Sequence, residues 1–226
     1  MSKSASHCPV VAIDGPTASG KGTVAALVAA KLGYHYLDSG AIYRVLAVAV
    51  AQCGLDPDLP ADLPKIIPMS ANLPVQFHGS KVLLNGLDVS EVIRTEEAGV
   101  MASRLAVVPE VRAGLLQRQR DFRQAPGLVA DGRDMGSVVF PDSILKVFLT
   151  ASAKVRAERR VRQIEERGQP ADFQAIYNDL VARDKRDTER AVAPLKPCED
   201  ALVLDCSAMP IDQVVGTIHG WAQERI

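Results

Sequence analysis

Gly15-Pro16-Thr17-Ala18-Ser19-Gly20-Lys21-Gly22-Thr23 follows the apolar run Val10-Val11-Ala12-Ile13 and leads into the Ala-rich stretch Val24–Leu32. Strand, glycine-rich turn and helix, in that order, form the setting that a phosphate-binding loop requires. Gly15 and Gly20 allow a tight turn that aims backbone N–H groups at phosphate oxygens, and the positive end of the following helix favours the same negative charge. Lys21 then reaches the β- and γ-phosphates. With Gly at about 7% of residues and Lys similar, only a few per cent of chains this long hold a chance G-x4-G-K. The stretch therefore reads as a nucleoside triphosphate site rather than an ordinary strand–helix turn, and Gly15, Pro16, Thr17, Ala18, Ser19, Gly20, Lys21, Gly22 and Thr23 are its expected ATP-binding residues.

The usual loop places Ser or Thr directly after the lysine as a magnesium ligand. Here Gly22 intervenes and the hydroxyl arrives at Thr23, turned by about 100° on a helix. That displacement assigns Thr23 to a phosphate rather than to the metal. The G-K-G-T ending resembles the nucleoside monophosphate kinases, in which water and phosphate oxygens supply much of the magnesium coordination.

Outward from the loop, Leu128-Val129-Ala130, Lys146-Val147-Phe148-Leu149 and Ala201-Leu202-Val203-Leu204 repeat the short apolar pattern, each followed by a polar turn with helical sequence nearby. Unbroken apolar runs predict parallel strands buried on both faces. Tyr34–Asp38 predicts a fifth strand. The expected fold class is a three-layer α/β P-loop fold around a central parallel sheet, with ligands at the carboxyl ends of the strands. Asn72–Gly79 and Lys81–Val89 instead predict two strands joined at Gly79-Ser80, with Asn85-Gly86 a second turn signal. They imply a small β-rich insertion over about residues 66–97 of a single 1–226 domain. Helices are expected over Glu96–Val107 and Pro109–Gln124.

The chain has 226 residues, is 47% hydrophobic and 23% charged, and carries a net charge of −1. These values fit a soluble globular protein with a full core, and they supply no basic field for nucleic acid or an anionic membrane. No apolar run reaches the ~20 residues that span a bilayer. Cys8, Cys53, Cys198 and Cys206 are scattered without a CxxC pair, as expected of reduced thiols in a cytoplasmic protein.

Three further constellations bear on chemistry. In Leu37-Asp38-Ser39-Gly40-Ala41-Ile42-Tyr43-Arg44, Ser39 is expected to cap a helix whose start can meet an anion, with Arg44 nearby. In Ala130-Asp131-Gly132-Arg133-Asp134-Met135-Gly136, Asp131 ends a strand, where its carboxylate can hold Mg2+ directly or through water. Arg133 follows in a glycine-flanked turn, and Asp134 can orient it or read a substrate donor. Arg156, Arg159, Arg160 and Arg162 lie on one predicted helix over Ala153–Glu166, where 156 and 160 share a face, as do 159 and 162. A second predicted helix places Arg183, Asp187 and Arg190 on one face. Such runs are ordinarily solvated, but phosphoryl transfer calls for several guanidinium groups around the developing charge. Two Arg-rich helices joined through Gly168 and Pro170 fit a closing lid over about residues 153–190.

Taken together, IDGPTASGKGT, LDSGAIYR, ADGRDMGSVVFPD and RDKRDTERAVAPL resemble the bacterial cytidylate kinase family from about residue 9 to the C-terminus. The resemblance implies phosphoryl transfer from ATP to CMP or dCMP, in a one-chain P-loop kinase with a mobile lid and an enlarged monophosphate-binding insertion. It implies that Ser39, Arg44, Arg133 and Arg190 hold the monophosphate, and that Arg183 and Asp187 bind the ribose. Ser103, Arg112 and Asp134 would read cytosine, and Arg156 and Arg160 would sit on the transferred phosphoryl group. Lys21, Arg133, Arg156, Arg160 and Arg190 are thus the expected catalytic residues, with ATP and Mg2+ as cofactors, a monomer as the default state and cytoplasmic metabolism as the setting. An already ionised acceptor phosphate needs no general base, so His7, His35, His78 and His219 have no expected role. A kinase for UMP, AMP or a hydroxylated metabolite remains open, as do a P-loop switch or ATPase and a non-catalytic nucleotide-binding module. The lack of an N-K-x-D-like segment counts against the switch, and a second anion site counts against the bare binding module.

Overall fold

A computed structural model of the chain describes residues 8–78 and 81–226. The expected strand junction at Gly79-Ser80 and His7 lie outside the described residues. The chain divides into two compact units, one of Met1–Leu37 with Phe122–Ile226 and one of Asp38–Asp121.

The first unit is built on a five-stranded sheet. Its strands are β1 (Val10–Asp14), β2 (His35–Asp38), which runs to the unit boundary, β6 (Leu128–Gly132), β7 (Leu145–Thr150) and β8 (Leu202–Asp205), in the order β2-β6-β1-β7-β8. β1 pairs in parallel with β6 (Val10 opposite Leu128) and with β7 (Val11 opposite Leu145), and β7 pairs in parallel with β8. All five residues of β1 and of β6 are buried, as unbroken apolar runs predict for central strands. The run over 201–204 behaves otherwise: Val203 is 57% exposed while Leu202 and Leu204 are half-buried. β8 ends the sheet order and has only one covered face, so it alternates. Helices α1 (Lys21–Leu32) and α8 (Ile211–Gln223) pack together, with Val24, Val28, Val214 and Ile218 in one core with Ile13 and Leu149. Helices α6 (Ala153–Glu165) and α7 (Phe173–Glu189) pack on one another. Ser152 and Asp172 cap them, each side chain accepting from backbone N–H groups of the first turn.

The second unit contains α2 (Ser39–Gln52), α3 (Leu63–Ala71), the short strands β3 (Val75–His78), β4 (Lys81–Leu84) and β5 (Leu87–Asp88), then α4 (Glu96–Leu105) and α5 (Pro109–Arg120). α2 is buried almost throughout from Ala41 to Val50 and packs on α3 and α4, while α3 packs on α5. The three strands form an antiparallel sheet. Asn85 (φ 51°) and Gly86 (φ 78°) both lie in the left-handed region between the paired Leu84 and Leu87, the two-residue hairpin turn that Asn-Gly signals. The β-structure begins at Val75; residues 66–71, expected within the β-rich stretch, are the end of α3.

Candidate active site

The phosphate-binding loop runs from the end of β1 to the start of α1. A Cβ at Gly15 would stand 2.1 Å from the carbonyl oxygen of Leu149 in β7, so only glycine lets the chain leave the sheet there. Gly20 (φ 88°) and Ala18 (φ 57°) are both left-handed, a backbone shape that gathers successive N–H groups around a concavity suited to an anion. Ala18 pays about 1–2 kcal/mol for that conformation. The loop's carbonyls are held by its own lysine and by two arginines of α6. Lys21 Nζ donates to Pro16 O (3.1 Å), Arg156 Nη1 to Thr17 O (3.0 Å) and Arg159 Nη1 to Ser19 O (3.1 Å). Lys21 is buried and Thr23 exposed.

Gly22 shows what replaces the missing hydroxyl. A Cβ there would lie 3.5 Å from the Tyr36 hydroxyl and 3.7 Å from Asp131 Oδ2. The Tyr36 hydroxyl in turn donates to Asp131 Oδ1 (3.1 Å). The buried Asp131 carboxylate on β6 therefore sits beside the place where other P-loops carry their magnesium ligand. Among the described residues no group of three or more His, Cys, Asp or Glu side chains gathers into a metal cage. One carboxylate beside a phosphate loop fits Mg2+ held chiefly by phosphate oxygens and water.

Asp14, which the sequence reading did not single out, ends β1 and ties the loop strand to the next segment. Its carboxylate accepts from the N–H groups of Met135 (2.8 Å) and Gly136 (2.9 Å), which open the π-helical turn Met135–Val139. Burial pushes its pKa up to about 6 against the two amide donors, with Asp134 adding to the rise and Lys21 opposing it. Loop cation and Asp134 thus both act on one carboxylate, so the phosphate loop and the 131–136 segment share one electrostatic neighbourhood.

Arg133 Nε donates to Asp187 Oδ2 on α7 (2.8 Å). Burial works to raise the Asp187 pKa, but Arg133, Arg183 and Arg190 outweigh it and hold the carboxyl below its ordinary value. Arg190, where α7 ends, is buried, donates to Ala193 O and stands 3.9 Å from Asp134 Oδ1. The structure therefore brings Arg133, Asp134, Arg183, Asp187 and Arg190 into one charged cluster. Arg156 is buried on α6 and its fork is taken up by Asp184 of α7, with Nε donating to Ala151 O (2.9 Å). Arg160 lies half-buried one residue beyond Arg159.

In the second unit the expected capping role of Ser39 passes to its neighbour. Asp38 is the N-cap of α2, its side chain accepting from Ala41 N (2.9 Å), while Ser39 is the first helical residue and is buried. A carboxylate on an extended residue one place earlier reaches the orphan N–H group that the Ser39 hydroxyl cannot. Asp38 also pairs with Arg44 (3.1 Å) across Gly40. Arg44 Nε is buried and has no hydrogen-bond partner among the described residues, a donor left for a ligand. Ser103 on α4 and Arg112 on α5 are both buried, and Arg112 Nη1 donates to Ala106 O (3.4 Å) just past the end of α4. Asp14 occupies a position its sequence could have flagged, directly before the loop at a strand end. Tyr36 and Asp184 carry no such local signal, and Arg159 is marked only as one of four arginines on a predicted helix.

The sequence model of the family described as cytidylate kinase matches residues 11–224. Three similar proteins are named cytidylate kinase: that of Aeromonas hydrophila, 53% identical over 222 residues (96% of this chain, 95% of the relative); that of Chromobacterium violaceum, 53% over 217 residues (96% of each); and that of Pseudomonas aeruginosa, 53% over 225 residues (94% and 97%). The solved structure of an uncharacterized protein from Eubacterium ventriosum superposes with a TM-score of 0.51 at 13% identity, over 96% of this chain and 99% of that one. It shares the fold.

Proposed function

Because the chain belongs to the cytidylate kinase family, we propose that it transfers a phosphoryl group from ATP to CMP and dCMP, giving ADP with CDP or dCDP. One observation supports this most: the phosphate loop, Lys21 and the Arg133–Asp187–Arg190 cluster adjoin through Asp14 in one unit, giving a triphosphate cradle beside a second anion site. A switch or ATPase has no use for the second site.

The loop N–H groups and Lys21 bind the ATP phosphates. Asp131, oriented by the Tyr36 hydroxyl, would hold Mg2+ directly or through water, and the ion would supply charge neutralisation at the phosphates. Ser39, Arg44, Arg133 and Arg190 hold the acceptor monophosphate, Arg183 and Asp187 the ribose, and Ser103, Arg112 and Asp134 the cytosine. Uracil would leave part of that polar set unpaired, which is how such a pocket discriminates. The acceptor oxygen is already ionised, so the residues align two anions and offset their repulsion. Arg160 joins that work from α6, and Arg156 exchanges its Asp184 partner for phosphate oxygens. Residues 66–97 form the monophosphate-binding insertion, and 153–190 the lid that keeps water from the phosphoryl group. The setting is a cytoplasmic monomer acting on small molecules, without nucleic acid or membrane partners.

An ADP-release assay with Mg-ATP and CMP, dCMP, UMP, AMP, GMP or no acceptor tests the reading. ADP formed rapidly with CMP and dCMP alone is expected. ADP formed equally without acceptor would overturn the kinase reading, and a preference for UMP or AMP would overturn the roles of Ser103, Arg112 and Asp134.

A further inference from the structure

Peptide planarity turns the carbonyl contacts of the phosphate loop into constraints on its N–H groups. In a trans peptide the C=O of one residue and the N–H of the next point in opposite directions. The loop works by aiming N–H groups inward, so its carbonyls must face out, and an unheld peptide can flip. Resistance to flipping is weak where the backbone is strained, and Ala18 and Gly20 follow the carbonyls of Thr17 and Ser19 with φ of 57° and 88°. Both carbonyls are captured by arginines of α6: Thr17 O by Arg156 at 3.0 Å and Ser19 O by Arg159 at 3.1 Å. Arg159 does more than touch the loop. Its Nη2 donates to Cys206 O at 2.7 Å, its Nη1 approaches Cys206 Sγ at 3.5 Å, and that thiol lies 3.4 Å from the same Ser19 oxygen. The guanidinium is thus anchored to the residue that follows β8, next to the sheet, rather than swinging free on its helix.

We propose that Arg159 is a positioning residue of the phosphate loop: braced on Cys206, it holds the Ser19–Gly20 peptide so that the Gly20 N–H faces the nucleotide phosphates. The proposal rests on the reading that this loop binds ATP. Arg159 touches no substrate in this scheme. Its fork serves two acceptors at once, which a lysine ammonium on a flexible stem does far less well. The consequence is specific: losing Arg159 weakens nucleotide phosphates at the loop and leaves the monophosphate cluster alone.

The test measures ADP and CMP affinity separately by calorimetry for the wild type, Arg159→Lys and Arg159→Ala, and follows the Gly20 amide by NMR. Arg159→Ala is expected to weaken ADP about 10-fold or more, as loss of a charge-assisted hydrogen bond does, with CMP affinity unchanged. Arg159→Lys should fall between, and added methylguanidinium should restore ADP binding to the alanine variant. The ADP-induced shift of the Gly20 amide should shrink in step. Unchanged ADP affinity in Arg159→Lys and Arg159→Ala would overturn the proposal. So would a parallel loss of ADP and CMP binding without rescue, the mark of a general loss of structure. If Arg159→Ala does not fold, the Lys variant decides by the same criteria. A wild-type Gly20 amide that ignores ADP would overturn the underlying loop reading, while Arg159 effects alone bear on its role.

Discussion

Asp14 offers the most quantitative test of how this site is held. Its carboxyl is buried at the end of β1, facing the N–H groups of Met135 and Gly136 and within the fields of Asp134 and Lys21. Burial outweighs the two amide donors and raises the pKa from 3.8 to about 6. In the unfolded chain the group returns to its ordinary value, so between those two pH values the native state binds the extra proton. The stability this group contributes is full below the unfolded pKa and is lost as pH rises through about 6. At 1.36 kcal/mol per pH unit, a rise from 3.8 to about 6 amounts to about 3 kcal/mol, of which about 1 kcal/mol is recovered when pH falls from 7 to 5. The assay is urea unfolding of the wild type and Asp14→Asn at pH 5, 6 and 7, with a carbon-13 NMR titration of the Asp14 carboxyl. The wild type should gain about 1 kcal/mol relative to the variant as pH falls from 7 to 5. The asparagine should also lose one of the two amide hydrogen bonds, at about 1–2 kcal/mol near neutral pH. An Asp14 carboxyl titrating at or below its ordinary value would refute the reasoning, because the amide donors and Lys21 would then dominate burial.

Three further outcomes are expected. Gly15→Ala and Gly20→Ala should differ sharply: the first drives a Cβ to 2.1 Å from Leu149 O and should cost about 3 kcal/mol or more, whereas the second meets only Arg159 Nη1, at an ordinary contact of 4.0 Å, and its cost is that of the positive φ, about 1–2 kcal/mol, in thermal unfolding. Tyr36→Phe should raise the Mn2+ concentration needed to load the ADP complex by about 10-fold, read by electron paramagnetic resonance, because Asp131 loses the hydroxyl that orients it. Adding Gly22→Ser should recover part of that loss by setting a hydroxyl beside Asp131 Oδ2. Asp187→Asn should raise the KM for CMP at least 10-fold with little change for ATP, since it leaves Arg133, Arg183 and Arg190 without their shared counter-charge. In the wild type, the stability from this carboxylate is present above its unfolded pKa and lost as pH falls through its lowered folded value, so the fall of stability with acid should be shallower in Asp187→Asn than in the wild type.

Much of this protein is legible along the chain because the signals are local. The run Val10–Ile13 with Gly15, Gly20 and Lys21 dictates strand, loop and helix, since an unbroken apolar run, φ freedom and a helix N-terminus act over a few residues. Asn85-Gly86 is as direct, because few residue pairs adopt two consecutive positive φ angles. Arginine spacing likewise predicts the faces of α6 and α7. Other features depend on which elements become neighbours. Helical periodicity cannot distinguish Arg159 from Arg160 as the side chain that meets the loop; the placement of α6 against Ser19 and Cys206 does. The capping of α2 moved from Ser39 to Asp38 because a one-residue change in where the backbone leaves the strand decides which side chain reaches Ala41 N. Asp14, Tyr36 and Asp184 gained their roles only when residues about 121, 95 and 28 places away in sequence folded against them. Backbone geometry and burial are encoded residue by residue, but a hydrogen bond between distant side chains exists only once the sheet order β2-β6-β1-β7-β8 has set them side by side.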